Sequence, residues 1–207
     1  MPAPYETLRD DLSFLRAIAA EGRDRPLTAG PWIFSAGLIY GVASLVCWAI
    51  VRRLIPLPLD AILWCWCAAA LIQVLWLIRL GRSRTIPSSA LSTTNRTVAA
   101  VWTALGWAIF ASFLAACCAA WTSGSQMVWM TFPSFVLAIY GAGWSVTGLI
   151  AGRRELRWVA ALSFIGAVAL LPAFRTSALF LVYGVLILCI AALPGWRLMR
   201  LARDAGV

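Results

Sequence analysis

The residues best able to do chemistry in this 207-residue chain are its sulfur side chains. Cys65 and Cys67 flank Trp66, Cys117 and Cys118 are adjacent, and Met127 and Met130 follow soon after. Thiolates and thioethers are the ligands of Cu(I) and other soft ions, so these residues outline a candidate soft-metal path. Vicinal cysteines in an apolar run also resemble, in motif type alone, those of mercury-transport membrane proteins. Two arguments point the other way. Residues two apart on a helix project about 200° from one another, so Cys65 and Cys67 do not face one site. Free cysteine also packs as a small buried hydrophobe, which alanine-rich surroundings accept. The spacing lacks the CxxC of a thioredoxin-like centre. The expectation is structural cysteines, with no bound metal and no cofactor.

Other chemistry is thinner. The chain has no His, which removes the commonest metal ligand and the commonest acid/base near neutral pH. It has eight Asp and Glu, five of them (Glu6, Asp10, Asp11, Glu21, Asp24) in the first 30 residues. No Ser/His/Asp set, HExxH, GxSxG or phosphate-cradling glycine motif is present, so an enzyme is not expected. Asp60 stands near one end of an apolar run, within reach of Arg52 or Arg53, and Arg79 near the other end is placed to snorkel. Gln73, Ser44, Ser112, Ser145, Thr147 and Ser163 are the deeper polar groups. Hydrogen bonds to helix backbones account for them without a ligand.

The elements that must hold these residues follow from composition. The chain is 62% hydrophobic and 12% charged, with mean hydropathy +0.87. An average soluble domain is about half apolar and about a quarter charged. The apolar residues fall into long runs, and a bilayer core needs roughly 20 of them per helix. Six runs qualify: 31–51, 58–80, 97–121, 127–151, 158–174 and 176–194. The fifth is short and carries Pro172 near its end. The predicted fold is an all-α polytopic membrane bundle of six transmembrane helices (31–196), preceded by an amphipathic segment (1–30) and followed by a short tail (197–207). Short loops leave no room for a folded domain outside the membrane. The opening 30 residues are charged and mixed, unlike a cleavable signal peptide, so the first span is expected to remain as an anchor.

All seventeen basic residues are Arg. With six spans, fourteen fall on one side, and only Arg52, Arg53 and Arg175 on the other. The positive-inside rule then places both termini in the cytoplasm. The net charge of +9 is explained by this asymmetry, and no nucleic-acid partner is expected. Five of the twelve Trp residues (Trp32, Trp121, Trp129, Trp158, Trp196) stand near span ends as an aromatic belt. Trp64, Trp66, Trp76, Trp107 and Trp144 lie deeper, where packing or an apolar cavity would use them.

Three patterns speak to assembly. In residues 3–22, Tyr5, Leu8, Leu12, Leu15 and Ala19 recur at helical spacing, a stripe that packs on the bundle, docks a partner or lies on lipid. Its near-balanced charge argues against anionic lipid. Gly37/Gly41 and Gly148/Gly152 form two GxxxG pairs, and Ala104/Ala108 and Ala115/Ala119 add small-xxx-small pairs, the pattern that lets helices approach closely. Finally, Tyr40-Gly41 in the first span and Tyr140-Gly141 in the fourth precede Arg pairs by similar distances, and Tyr183-Gly184 stands in the sixth. Spans 1–3 and 4–6 would then be an inverted repeat of the kind transporters use, although Tyr-Gly pairs also suit simple helix packing.

The stretches Asp11-Leu-Ser-Phe-Leu-Arg-Ala-Ile-Ala-Ala-Glu-Gly-Arg23, Tyr140-Gly-Ala-Gly-Trp144 and Ala192-Leu-Pro-Gly-Trp-Arg-Leu-Met-Arg200 resemble small, uncharacterised six-span proteins of bacterial inner membranes. The resemblance implies location and architecture and no activity. Two functions remain in view. One is a non-enzymatic accessory, assembly or signalling component that binds a cytoplasmic or membrane protein partner. The other is a small transporter, working as a homodimer, for a hydrophobic or soft cationic solute, which would depend on Gln73, Trp66 and Trp144.

Overall fold

The computed structural model describes residues 27–83, 92–125 and 127–205. The stripe Tyr5, Leu8, Leu12 and Leu15 lies outside the described residues. The architecture is all-α. Six helices are long and apolar enough to cross a membrane, as the hydropathy runs predict. We number them α1 (Gly30–Val51), α2 (Ala61–Ser83), α3 (Thr93–Ser123), α4 (Met127–Ile150), α5 (Arg154–Ala169) and α6 (Ala178–Ile187). After α6 come a π-helical turn, Leu188–Ala192, and α7, Leu193–Asp204. From Ala178 to Asp204 the three form one continuous helical rod, apolar over its first part and Arg-rich at its end.

Local signals set most ends. Pro31 occupies the first turn of α1, where its missing N–H costs nothing. The Ser92 side chain caps α3 by accepting from the Asn95 N–H at 3.2 Å, and Gly124 closes it in the left-handed region at φ 64°. Gly152, at φ +66°, makes the tight turn from α4 into α5. Pro172 sits in a single 3₁₀ turn, Leu171–Ala173, that ends the fifth span.

Several bounds differ from expectation: α2 covers 61–83 rather than 58–80, and α5 starts at Arg154 rather than 158. α3 starts at Thr93 rather than 97 and runs for 31 residues. The last span does not stop at 194. Pro194 and Gly195 read as helix terminators, but the π turn lets the chain pass through Pro194, and residues 197–204 of the expected tail continue as helix. The Arg-rich face of α7 disguises this continuation, because Leu198 alone among its last seven residues is fully buried.

The helices pack as antiparallel neighbours. α1 is central: it contacts α2 on one side and the α6–α7 rod on the other. α4 is the second centre, between α3 and α5. A core of Tyr140, Trp144, Leu137, Ile187, Ile190 and Leu179 joins the two groups. Of the most apolar stretch of each span, 44% of α1, 44% of α4, 33% of α5 and 50% of the last rod is buried, against 11% of α2 and 6% of α3. Four helices therefore make the body, and α2 and α3 lie against it with most of their surface outward.

This pairing pattern bears on the inverted repeat. Exchanging the halves turns α1–α2 into α4–α5, and α1 with the last rod into α4 with α3; all four contacts exist. The residues do not follow. Tyr40 stacks on α2 through Trp66, whereas Tyr140 meets α3 through Trp102. The two halves share a wiring plan and differ in register.

The Arg residues sort by end. Thr28 donates its N–H to the Asn95 side chain at 3.2 Å, and Gly30 abuts Gly195 and Met199. Those contacts gather the start of α1, the start of α3 and α7 at one end, with the alternating chain direction bringing Arg79, Arg82, Arg153, Arg154 and Arg157 there too. Arg52, Arg53 and Arg175 belong to the other end.

Candidate functional site

The cysteines are dispersed. Cys47 is buried, Cys65 and Cys117 half-buried, and Cys67, Cys118 and Cys189 exposed. Cys65 and Cys67 belong to α2 and Cys117 and Cys118 to α3, the two least buried helices. Among the described residues no three His, Cys, Asp or Glu side chains gather to hold a metal. The contact that does form is one the sequence did not mark. Across the α1–α2 interface, the Cys65 thiol donates to the Ala43 carbonyl at 3.6 Å, one turn before the buried Cys47. Met127 is exposed at the start of α4, while Met130 packs against the core.

The convergence lies with the aromatic residues instead. Trp66 stacks on Tyr40 with ring centres 6.3 Å apart and meets Tyr183 at 6.4 Å. Trp102 packs edge-on against Tyr140 at 5.4 Å and Trp144 at 5.1 Å. Tyr140 and Tyr183 belong to the one buried core, and Tyr40 packs against it. The three Tyr-Gly pairs thus come to one level of the bundle from α1, α4 and α6. The sequence held that signal as a repeat, and its three-dimensional meaning is a shared aromatic layer clamped by Trp66 of α2 and Trp102 of α3.

Polar groups in this layer serve the backbone. Trp144 is fully buried, and its indole N–H donates to the Ile190 carbonyl at 2.7 Å. Ile190 is four residues before Pro194, which has no N–H to offer that carbonyl. The proline frees the acceptor, the π turn exposes it, and Trp144 fills the place. Trp102 donates to Thr147 Oγ1 at 3.1 Å, and Thr147 donates in turn to the Gly143 carbonyl. Ser44 donates to the Phe180 carbonyl at 2.7 Å, Ser145 to Gly141 and Ser163 to Val159. Gln73 faces α1 and donates to Ser35 Oγ at 3.4 Å, with its Oε1 buried and unpartnered. Gln73 and Trp66 both meet α1 from α2, about two turns apart, whereas Trp144 stands on α4 against the last span. Asp60 precedes α2; the ion pair found among the described residues is Arg153–Glu155 at 3.8 Å, not Asp60 with Arg52 or Arg53.

The glycines divide sharply. A Cβ at Gly37 would run into the Ala192 backbone nitrogen and lie 2.8 Å from Ala191, and one at Gly41 would lie 2.7 Å from Leu188. Gly184, which the sequence marks within a Tyr-Gly pair, and Gly195 answer from the other side: Gly184 meets Gly41, and a Cβ at Gly195 would lie 2.8 Å from the Phe34 Cα. This is a close-packed crossing of the first and last spans. Gly148 is looser, with Leu156 at 3.3 Å, and Gly152 has nothing within 4 Å of a built Cβ. Gly152 serves the turn through its positive φ rather than a packing groove.

α3 presents the opposite case. Ala104, Ala108, Ala111, Ala115, Cys118 and Ala119 recur three and four apart, so they share one face. Every one of them is exposed. The side of α3 carrying Trp102, Leu105 and Phe113 is the one that meets α4. The bundle therefore turns a small-residue face of α3 away from itself. Searches against family models, curated proteins and solved structures return no match to the chain.

Proposed function

We propose that this chain is a non-enzymatic integral protein of a bacterial inner membrane, with both termini cytoplasmic, acting as an accessory, assembly or signalling component that binds a protein partner. One observation carries the reading: the exposed alanine face of α3. Within this bundle, helices approach closely where residues are small, as at Gly37, Gly41, Gly184 and Gly195. Van der Waals fit of that kind drives helix association in lipid, where apolar burial alone supplies no force. α3 carries an equivalent surface over about four turns, and among the described residues no helix lies on it. The orientation is supported by the Arg asymmetry, since nine described Arg residues (79, 82, 96, 153, 154, 157, 197, 200, 203) belong to one end and three (52, 53, 175) to the other. On sequence grounds, the Tyr5, Leu8, Leu12, Leu15 stripe adds a second contact on the cytoplasmic side.

The test is a photo-crosslinking residue at Ala111 in the full chain, in cells. The expected result is a discrete adduct with another membrane protein. It should vanish when Ala108→Leu and Ala115→Leu fill the face, while thermal stability of the double variant stays at the parent value. Adducts with lipid alone would refute the reading. An adduct of two copies of this chain would replace it with self-association.

A further inference from the structure

At its arginine-rich end, the outward face of α2 carries Leu75, Ile78, Arg79 and Arg82, all exposed. The four residues lie on one helical face, opposite Gln73, which points back at α1. Exposed Leu71 extends the face toward the middle of the helix. The result is a surface with two chemistries in sequence, an apolar strip and then two guanidinium groups a turn apart. Both Arg side chains are exposed, and among the described residues no carboxylate lies within 4 Å of either. Like charges at this spacing repel, and an anion between them turns that repulsion into two attractions.

We propose that this face of α2 binds the phosphodiester headgroup of an anionic phospholipid, with an acyl chain along Leu71, Leu75 and Ile78. Charge complementarity and depth commit the site to this ligand. Arg79 lies inside the apolar helix, four residues from its end, so its side chain reaches the headgroup level with hydrocarbon directly above it. Guanidinium forks match phosphate oxygens in a bidentate fashion, and a pair of forks selects a phosphate without a compensating positive charge. The proposal is independent of the partner reading.

The experiment is native mass spectrometry of the purified full chain, titrated separately with phosphatidylglycerol, phosphatidylcholine and inorganic phosphate. Phosphatidylglycerol should bind best. Taking each arginine near the lipid surface as worth about a fivefold change in affinity, Arg79→Gln with Arg82→Gln should weaken that binding about 25-fold. Arg52→Gln with Arg53→Gln, which removes the same charge from the opposite end, should leave it unchanged. The pair Arg79→Lys and Arg82→Lys, which keeps the charge and the fold, should fall between parent and Gln variant. Equal loss from both Gln pairs would overturn the site in favour of general charge. Equal binding of phosphatidylcholine, or displacement by inorganic phosphate at matched concentration, would overturn the assignment to an anionic lipid.

Discussion

The crossing of α1 with the last span and the free face of α3 are made of the same material and used in opposite ways. Both repeat small residues every three or four positions. At the crossing, Gly37, Gly41, Gly184 and Gly195 bring two backbones together and leave no space for a methyl group. On α3, Ala104, Ala108, Ala111, Ala115 and Ala119 stand open, and even Gly106 has nothing within 4 Å of a built Cβ. The difference teaches that a small-xxx-small pattern records the ability to approach, not the approach itself. What decides is the opposite surface. The last span brings Gly184, Ala191, Ala192 and Gly195 to α1, whereas α4 meets α3 on its bulky side, through Trp102, Leu105 and Phe113.

That contrast can be broken by substitution. The largest effect is expected at the crossing. Gly37→Leu drives a side chain into the Ala191–Ala192 backbone and should destabilise the fold by about 3 kcal/mol or more, measured by thermal unfolding followed through Trp fluorescence in detergent. The wild-type midpoint in that variant would show that the crossing is not tight.

The next effect tests the lock beside the crossing. Trp144→Phe leaves the Ile190 carbonyl buried without a donor and should cost about 2 kcal/mol. Pro194→Ala supplies a backbone N–H four residues on, so the double variant should recover about 1 kcal/mol of that loss. If the two changes simply add, the indole hydrogen bond is not what fills the gap left by the proline.

A smaller change sharpens the comparison at the far end of α1. Arg53 holds a left-handed backbone at φ 59°, which costs an ordinary residue roughly 1–2 kcal/mol. Arg53→Gly should therefore raise stability by about 1 kcal/mol; a fall would mean that the side chain, not the backbone, matters there. Smallest of all, Ala108→Leu on α3 should shift stability by less than about 0.5 kcal/mol. Destabilisation comparable to Gly37→Leu would show that the face is covered within the chain itself.

The sequence made the helices legible because hydropathy and length decide a span without help from neighbours. It also showed the small residues, the Tyr-Gly pairs and the break at Pro172. It did not show which helix meets which. Gly152 completes a GxxxG by spacing but is spent on a turn, since the three-residue linker between α4 and α5 requires a positive φ. Pro194-Gly195 looked like an ending, because the donor that rescues the Ile190 carbonyl comes from Trp144, 46 positions away. The cysteines carried the strongest chemical signal and proved scattered, while the aromatic layer drew on three tyrosines whose shared level no local pattern states. In each case the missing information was the identity of a distant partner.

The α1 crossing also fixes an order of events during synthesis. Gly37 and its partner Ala191 are separated by most of the chain, and a ribosome adding about 5–20 residues per second needs roughly 8–30 s to span that interval. Throughout it, the groove of α1 waits in the membrane with α2 on one flank and its backbone-tight neighbour unmade. The α4–α5 hairpin, closed by a short turn, forms soon after it emerges, and the last span then has to insert between two structures already in place. Nascent chains arrested before residue 184 should accordingly hold the second pair of helices in its native contact while α1 stays open to the insertion machinery. The protein's first helix is thus the last to be completed.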